Sequence, residues 1–68
     1  MEMAGFVAST DLQVGDTVRF FIDKELYEIV EIRTIFYKVA NMVEFEFQIK
    51  GNKFSNVWVK RDQIERVF

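Results

Sequence analysis

Val43-Glu44-Phe45-Glu46-Phe47-Gln48-Ile49-Lys50 decides the fold of this chain, because apolar and polar residues alternate along it without interruption. Successive side chains of a β-strand point to opposite faces of a sheet, so this period of two predicts a strand with one buried face. We expect Phe45 and Phe47 to lie in the core on that face.

The residues after this strand predict a hairpin. Gly51-Asn52-Lys53 is typical of a turn, and residues 54–60 form the returning strand. In that strand Val57 and Val59 share one face and Trp58 lies on the other. One helical turn and a short closing strand are predicted next, at residues 60–64 and 65–68.

The residues before it also favour strands. Residues 26–37 are rich in β-branched and aromatic side chains, which favours a strand over the helix that some of their spacings allow. The apolar set changes phase near residues 31–35, which predicts a bulge or a sharp bend there.

A further strand is predicted nearer the N-terminus. Residues 17–23 alternate, with Val18, Phe20 and Ile22 on one face, and residues 23–25 read as a charged connection. Residues 11–16 read as a turn in which Gly15 adopts a positive φ and Asp16 bonds nearby backbone.

The size of the chain limits it to one domain. It has 68 residues and neither cysteine nor histidine, which excludes disulfide bridges and most zinc sites. Its stability must therefore come from a hydrophobic core, and the aromatic residues, 16% of the chain, are suited to form one because each buries a large apolar surface. Residues 1–10 lack a clear period, so we expect a flexible or edge-strand arm there and a β-barrel domain over residues 11–68.

The charge of the chain bears on its partners. Its net charge is −2, with seven acidic and three basic side chains in residues 1–34 and six basic and four acidic ones in residues 35–68. The overall acidity argues against sequence-independent nucleic-acid binding, which depends on neutralising phosphates. The basic half keeps such binding among the hypotheses, with these candidate contacts: Lys38, Lys50, Lys53, Lys60 and Arg61.

Catalysis is not expected of this sequence. The serines are Ser9 and Ser55, both in predicted loops, and no histidine or cysteine stands beside them as base or nucleophile. Glu44 and Glu46 share a strand face, but we interpret them as the solvated side of an amphipathic strand. We interpret the earlier acids at 23, 25, 28 and 31 in the same way, so no metal or other cofactor is expected.

Trp58 is the anomaly in the pattern. If Val57 and Val59 face the core, Trp58 stands on the outer face, and Phe21 is likewise out of phase with its strand. These rings either cover a second small core or form a docking patch for a protein partner. The candidate partner-binding residues are Trp58, Lys60, Arg61, Tyr27, Tyr37 and Phe21.

Three passages resemble the Src-homology-3-like small barrel, the architecture shared by Tudor, KOW-type and many small bacterial and phage domains. Residues 12–18, Leu-Gln-Val-Gly-Asp-Thr-Val, resemble its opening strand, and residues 27–32 look like its second strand. Residues 57–67 are similar to its last hairpin strand, single 3₁₀ turn and final strand. The resemblance implies an all-β fold: one small barrel of about five antiparallel strands with a short 3₁₀ turn near the C-terminus.

Our leading functional hypothesis is a non-catalytic protein-binding module that regulates or inhibits a larger protein. The alternatives are a homo-oligomeric structural or assembly component and a nucleic-acid-binding barrel. We expect the protein to act in the cytoplasm, because the chain lacks cysteine and its N-terminus lacks a signal peptide. No apolar run approaches the roughly 20 residues of a membrane span, so no membrane partner is expected.

Overall fold

The computed structural model of the chain describes residues 10–67, so the predicted arm at residues 1–10 lies outside the described residues except for Thr10. The described residues form five antiparallel strands and one 3₁₀ turn and contain no α-helix, so the all-β prediction is confirmed. Among them no helix is long and apolar enough to cross a membrane. The elements are β1 (Thr17–Phe20), β2 (Leu26–Tyr37), β3 (Met42–Lys50), β4 (Ser55–Lys60), the 3₁₀ turn (Arg61–Gln63) and β5 (Ile64–Val67).

All five strands belong to one sheet with the order β4-β3-β2-β1-β5. Its two edge strands, β4 and β5, are joined only by Arg61–Gln63. Four interstrand spacings in a flat sheet measure about 19 Å, whereas the four Cα steps from Lys60 to Ile64 reach at most about 14 Å. The sheet therefore curls until its edges approach each other, which is compatible with a small β-barrel-like fold.

The curled sheet encloses an apolar core. Phe47 is completely buried at its centre, and Phe45 is partly buried and packs against the core, so both lie on the predicted face. The described residues include no buried polar or charged residue. The buried set consists of Leu12, Val18, Phe20, Tyr27, Ile29, Phe47, Ile49, Val59 and Ile64.

The turn before β1 follows the sequence prediction. Gly15 has φ +98°, a left-handed conformation that glycine adopts without a Cβ penalty. The Gln13 amide donates to Asp16 Oδ2 at 2.9 Å, and the Gly15 amide donates to Ile29 O at 2.8 Å. The first bond lies within the turn, and the second attaches the turn to β2. β1 then begins at Thr17, with Val18 and Phe20 buried in the core.

The prediction that β1 continues to residue 23 is wrong. The strand ends at Phe20, and Ile22 is 72% exposed. The chain turns here because Lys24 has φ +61° and its amide donates to Phe20 O at 2.7 Å. The alternation of residues 17–23 continues past the point where the backbone leaves the sheet.

The predicted bulge exists, but it lies earlier in β2 than residues 31–35. The register with β3 shifts between Ile29 and Glu31, so Val30 is the extra residue. Before the bulge the odd-numbered Tyr27 and Ile29 face the core. After it the register pairs the even-numbered Ile32 with buried Phe47, so even-numbered residues take the core side.

This shift places Tyr27, a candidate partner-binding residue, on the core side of β2, and Tyr37 on the opposite side. Tyr27 is 2% exposed and packs edge-on against Phe20, with ring centroids 5.8 Å apart. Its hydroxyl donates to Asp23 Oδ2 at 2.5 Å. The pKa of Tyr27 is raised to about 12, chiefly by burial and secondly by the hydrogen bond to Asp23. Tyr27 is a core residue and offers a partner no contact surface.

Candidate protein-binding face

The outer face of β2, β3 and β4 is assembled by the register of three strands. Gln48 pairs with Trp58, and Glu46 pairs with Arg33 on one side and Lys60 on the other. Toward the end of the hairpin Glu44 pairs with Ile35, and Met42 pairs with Tyr37. Directly paired residues of antiparallel strands point to the same side of the sheet. We call this side of β2, β3 and β4 the outer face; its side chains include Arg33, Tyr37, Glu44, Glu46, Trp58 and Lys60.

Trp58 lies half-buried on this face, as the alternation of β4 predicts. The Arg33 guanidinium carbon stands 4.1 Å from the centroid of the indole ring, within the range of a cation–π interaction. Arg33 also bonds Glu46, with its Nε 2.8 Å and its Nη2 2.6 Å from Glu46 Oε1. One side of the indole is thus covered by an arginine that is itself held by a carboxylate.

Lys60, Glu44 and Tyr37 form the second half of the face. Lys60 Nζ donates to Glu44 Oε1 at 2.9 Å and lies 4.0 Å from Glu46 Oε2. The Tyr37 hydroxyl donates to Glu44 Oε1 at 2.8 Å. Glu44 thereby links the three strands and fixes the direction of an exposed tyrosine.

The pKa values follow these contacts. Hydrogen bonds from Lys60 and then Tyr37 lower the pKa of Glu44, and the hydrogen bond to Glu44 raises the pKa of Lys60. The same hydrogen bond to Glu44 raises the pKa of Tyr37. Near neutral pH this part of the face consists of a lysine cation, a carboxylate and a neutral phenol.

Arg61, another predicted contact residue, is held by Asp11. Its Nε and Nη2 each donate to one carboxylate oxygen of Asp11 at 3.0 Å, and its Nη1 donates to Ile64 O at 2.8 Å. This bidentate pair raises the pKa of Arg61 and lowers that of Asp11. It attaches residue 11 to the 3₁₀ turn next to Lys60, so Arg61 borders the outer face.

Phe21, the remaining candidate, is 47% exposed. It follows β1, which is not one of the three strands of the outer face. Its amide donates to Gln63 O at 3.0 Å, which ties the end of β1 to the 3₁₀ turn. The structure therefore brings together Trp58, Lys60 and Tyr37, with Arg61 beside them, whereas Phe21 follows a strand outside the outer face and Tyr27 is buried.

Sequence reasoning missed two features of this region. Arg33, which covers Trp58, is recognisable only once the register of β2, β3 and β4 is known, because 25 positions separate the two in the chain. The exposed apolar end of the β2–β3 hairpin was also missed, although the apolar residues around its turn are a signal. Its exposed members are Phe36, Tyr37, Val39 and Met42, of which Val39 is 103% exposed.

The acidic and basic side chains of this face contact one another. Glu44 and Glu46, the carboxylate pair on β3, both contact Lys60. No group of metal-binding side chains occurs among residues 10–67. Arg19, like the basic residues of the face, contacts a carboxylate, that of Glu65 at 3.2 Å. Phosphates would have to compete with these carboxylates for Arg19, Arg33, Lys60 and Arg61.

Comparison of the chain with models of known protein families, with curated proteins and with solved structures finds no match.

Proposed function

We propose that the chain is a non-catalytic protein-binding domain whose contact surface is the outer face. The observation that carries the proposal is the placement of Trp58, Tyr37 and Lys60 on one side of the sheet, each held by a hydrogen bond, ion pair or cation–π contact. Trp, Tyr and Arg dominate the energetics of protein interfaces. Side chains already fixed in direction lose less conformational entropy on binding, which favours affinity.

The partner is a larger protein in the cytoplasm, and the domain regulates or inhibits it by covering part of its surface. We assign the fold to the Src-homology-3-like barrels on two supporting observations. The strand order is β4-β3-β2-β1-β5, and a single 3₁₀ turn links β4 to β5. Fold alone does not determine function, so the binding proposal rests on the outer face.

The proposal is tested with the full chain as bait in affinity capture, followed by calorimetric titration of the purified partner. Trp58→Ala should weaken binding by about 2 kcal/mol or more, as for an interface hot spot. Phe21→Ala is the control, because it removes another partly exposed aromatic ring, one that follows β1 and is on none of the three strands of the outer face. It should leave affinity unchanged.

Thermal unfolding of both variants must accompany the titration, because Trp58 also packs against Arg33. A Trp58→Ala protein that is folded at the assay temperature and binds as tightly as the wild type would contradict the proposal. Lys60→Glu should weaken binding less, mainly at low salt, since a charge at the rim of an interface acts chiefly on the association rate.

Self-association is a second candidate function, favoured by the exposed apolar end of the hairpin. Met42 is 52% exposed and Phe36 42%, beside the fully exposed Val39. Analytical ultracentrifugation over a concentration series tests this candidate. If the hairpin end joins two copies, Met42→Glu should shift the chain from dimer to monomer, and a wild type that stays monomeric eliminates the idea.

A further inference from the structure

The chain enters the described part of the fold beside a pocket of about 390 Å³. Leu12 is buried in the core, and its amide donates to Thr10 Oγ1 at 3.4 Å. Asp11 is held by the bidentate contact with Arg61, at 3.0 Å for each bond. Thr10 and Asp11 both line the pocket, so the residues that precede them in the chain start at its wall.

The core side of β3 supplies another wall of the pocket. Val43 and Phe45 line it, and both are only partly buried. Phe45 packs against the core, and Val43 lies two residues along the strand on the same side. Phe36 of β2 extends this side, because it is the direct partner of Val43, and it is 42% exposed. We call Phe36, Val43 and Phe45 the apolar strip.

Residues 1–9 have the composition of a segment that covers such a strip. Their sequence is Met-Glu-Met-Ala-Gly-Phe-Val-Ala-Ser, with one charged side chain and one aromatic ring. A segment with so little charge gains more from burying its apolar side chains than from solvation. We propose that residues 1–9 dock in the pocket as an extended segment, with Phe6 against the apolar strip.

The geometry of an extended segment selects Phe6. A helix this short is marginal in water, and Gly5 would weaken it further. In an extended chain Phe6 lies on the same side as Thr10, and Val7 points the opposite way. At about 3.3 Å per residue Phe6 is roughly 13 Å from Thr10 and Val43 is roughly 7 Å from Phe45. The phenyl ring can therefore reach the part of the strip that Phe36 and Val43 form.

The segment has an advantage over a separate molecule at this surface. It is joined to the pocket wall at Thr10, so its effective concentration there is on the order of millimolar. A second copy of the chain or a protein partner would have to displace it. Trp58 stands on the other side of the sheet, so docking of the segment leaves the indole of the outer face accessible.

A matched pair of variants in the full chain tests the assigned side of the segment. Phe6→Asp puts a charge against the apolar strip and should raise the unfolding equilibrium constant about tenfold or more in a urea titration. Val7→Asp makes the same change on the side turned away from the strip and should change this constant by less than about threefold. Phe6→Leu keeps an apolar side chain and should restore most of the stability.

A double-variant cycle and NMR locate the contact on the strip. Phe6→Ala and Val43→Ala should be non-additive, because each removes the same contact. Val39→Ala, on the fully exposed turn, should be additive with Phe6→Ala. Nuclear Overhauser effects should connect the Phe6 ring with the Val43 methyl groups. In a mixture of labelled and unlabelled chains an isotope-filtered spectrum should contain none of these signals, because it selects contacts between copies.

Three results would overturn the inference: equal effects of Phe6→Asp and Val7→Asp, additivity of the Phe6 and Val43 variants, or no Overhauser contact between the two residues. Contacts that pass the isotope filter would assign the pocket to a second copy instead. Val43 signals that change only when a captured partner is added would assign it to that partner. The proposed function fails separately, because Trp58→Ala tests it on the other side of the sheet.

Discussion

Gly51→Ala tests the packing under the β3–β4 turn, because a methyl group at this position has no room. A Cβ built on Gly51 would lie 2.6 Å from Tyr27 Cδ2, 2.9 Å from Tyr27 Cε2 and 3.0 Å from Leu26 O. The tyrosine ring cannot easily yield. It stacks on Phe54 with centroids 6.2 Å apart and contacts Phe20 edge-on, while its hydroxyl bonds an aspartate.

Overpacking of a tight site costs roughly 1–3 kcal/mol. Replacement of glycine by alanine restricts the unfolded chain and returns about 0.4–1 kcal/mol where the backbone allows it. We therefore expect Gly51→Ala to lower the free energy of unfolding by about 1–2 kcal/mol, and 1 kcal/mol corresponds to roughly 4–8 °C in Tm for a domain of this size. Urea unfolding with an unchanged slope gives the value directly.

The double variant Tyr27→Leu/Gly51→Ala identifies the cause. If the tyrosine ring is what the added methyl group meets, the two substitutions should be non-additive, because Tyr27→Leu removes the ring with which the Gly51→Ala methyl group clashes. Gly15→Ala is the contrasting control: no atom lies within 4 Å of its added Cβ, and its loss would come from φ +98° alone. A Gly51→Ala protein as stable as the wild type, or strict additivity with Tyr27→Leu, would refute the reasoning.

Three further predictions concern the core and the ionisable groups. Phe47→Ala should cost about 3–5 kcal/mol and largely unfold the domain, whereas Phe21→Ala, at a 47% exposed ring, should change the urea midpoint little; equal losses would contradict the assigned faces. Lys60→Met should raise the pKa of Glu44 in an NMR titration, because the lysine hydrogen bond is the largest cause of its lowering. In the wild type the stabilisation that Glu44 contributes to the fold is fully present above its unfolded-state pKa and is lost as the pH falls through its lowered folded-state pKa. A Glu44 pKa that is the same in the wild type and in Lys60→Met would refute the contact. Tyr27 should titrate with a pKa of about 12 in an alkaline ultraviolet titration, and its contribution to the stability of the fold is lost as the pH rises through that value. Titration at the ordinary pKa of tyrosine would contradict the placement of Tyr27 in the core.

The sequence by itself determined the strand content of this protein. The alternation of residues 43–50, the β-branched composition of residues 26–37 and the turn signals at residues 11–16 and 51–53 each correspond to an element of the structure. Such signals are local, because the period of two is a property of one strand and a positive φ at Gly15 is a property of one turn.

The composition of the outer face was decided only by the tertiary structure. The extra residue at Val30 places Tyr27 in the core and leaves Tyr37 outside, although both are odd-numbered residues of one strand. Arg33 covers Trp58 because β3 aligns strands that are distant in the chain. A one-residue change of register moves every following side chain to the other face, and that register is fixed by pairing between strands that no local pattern encodes.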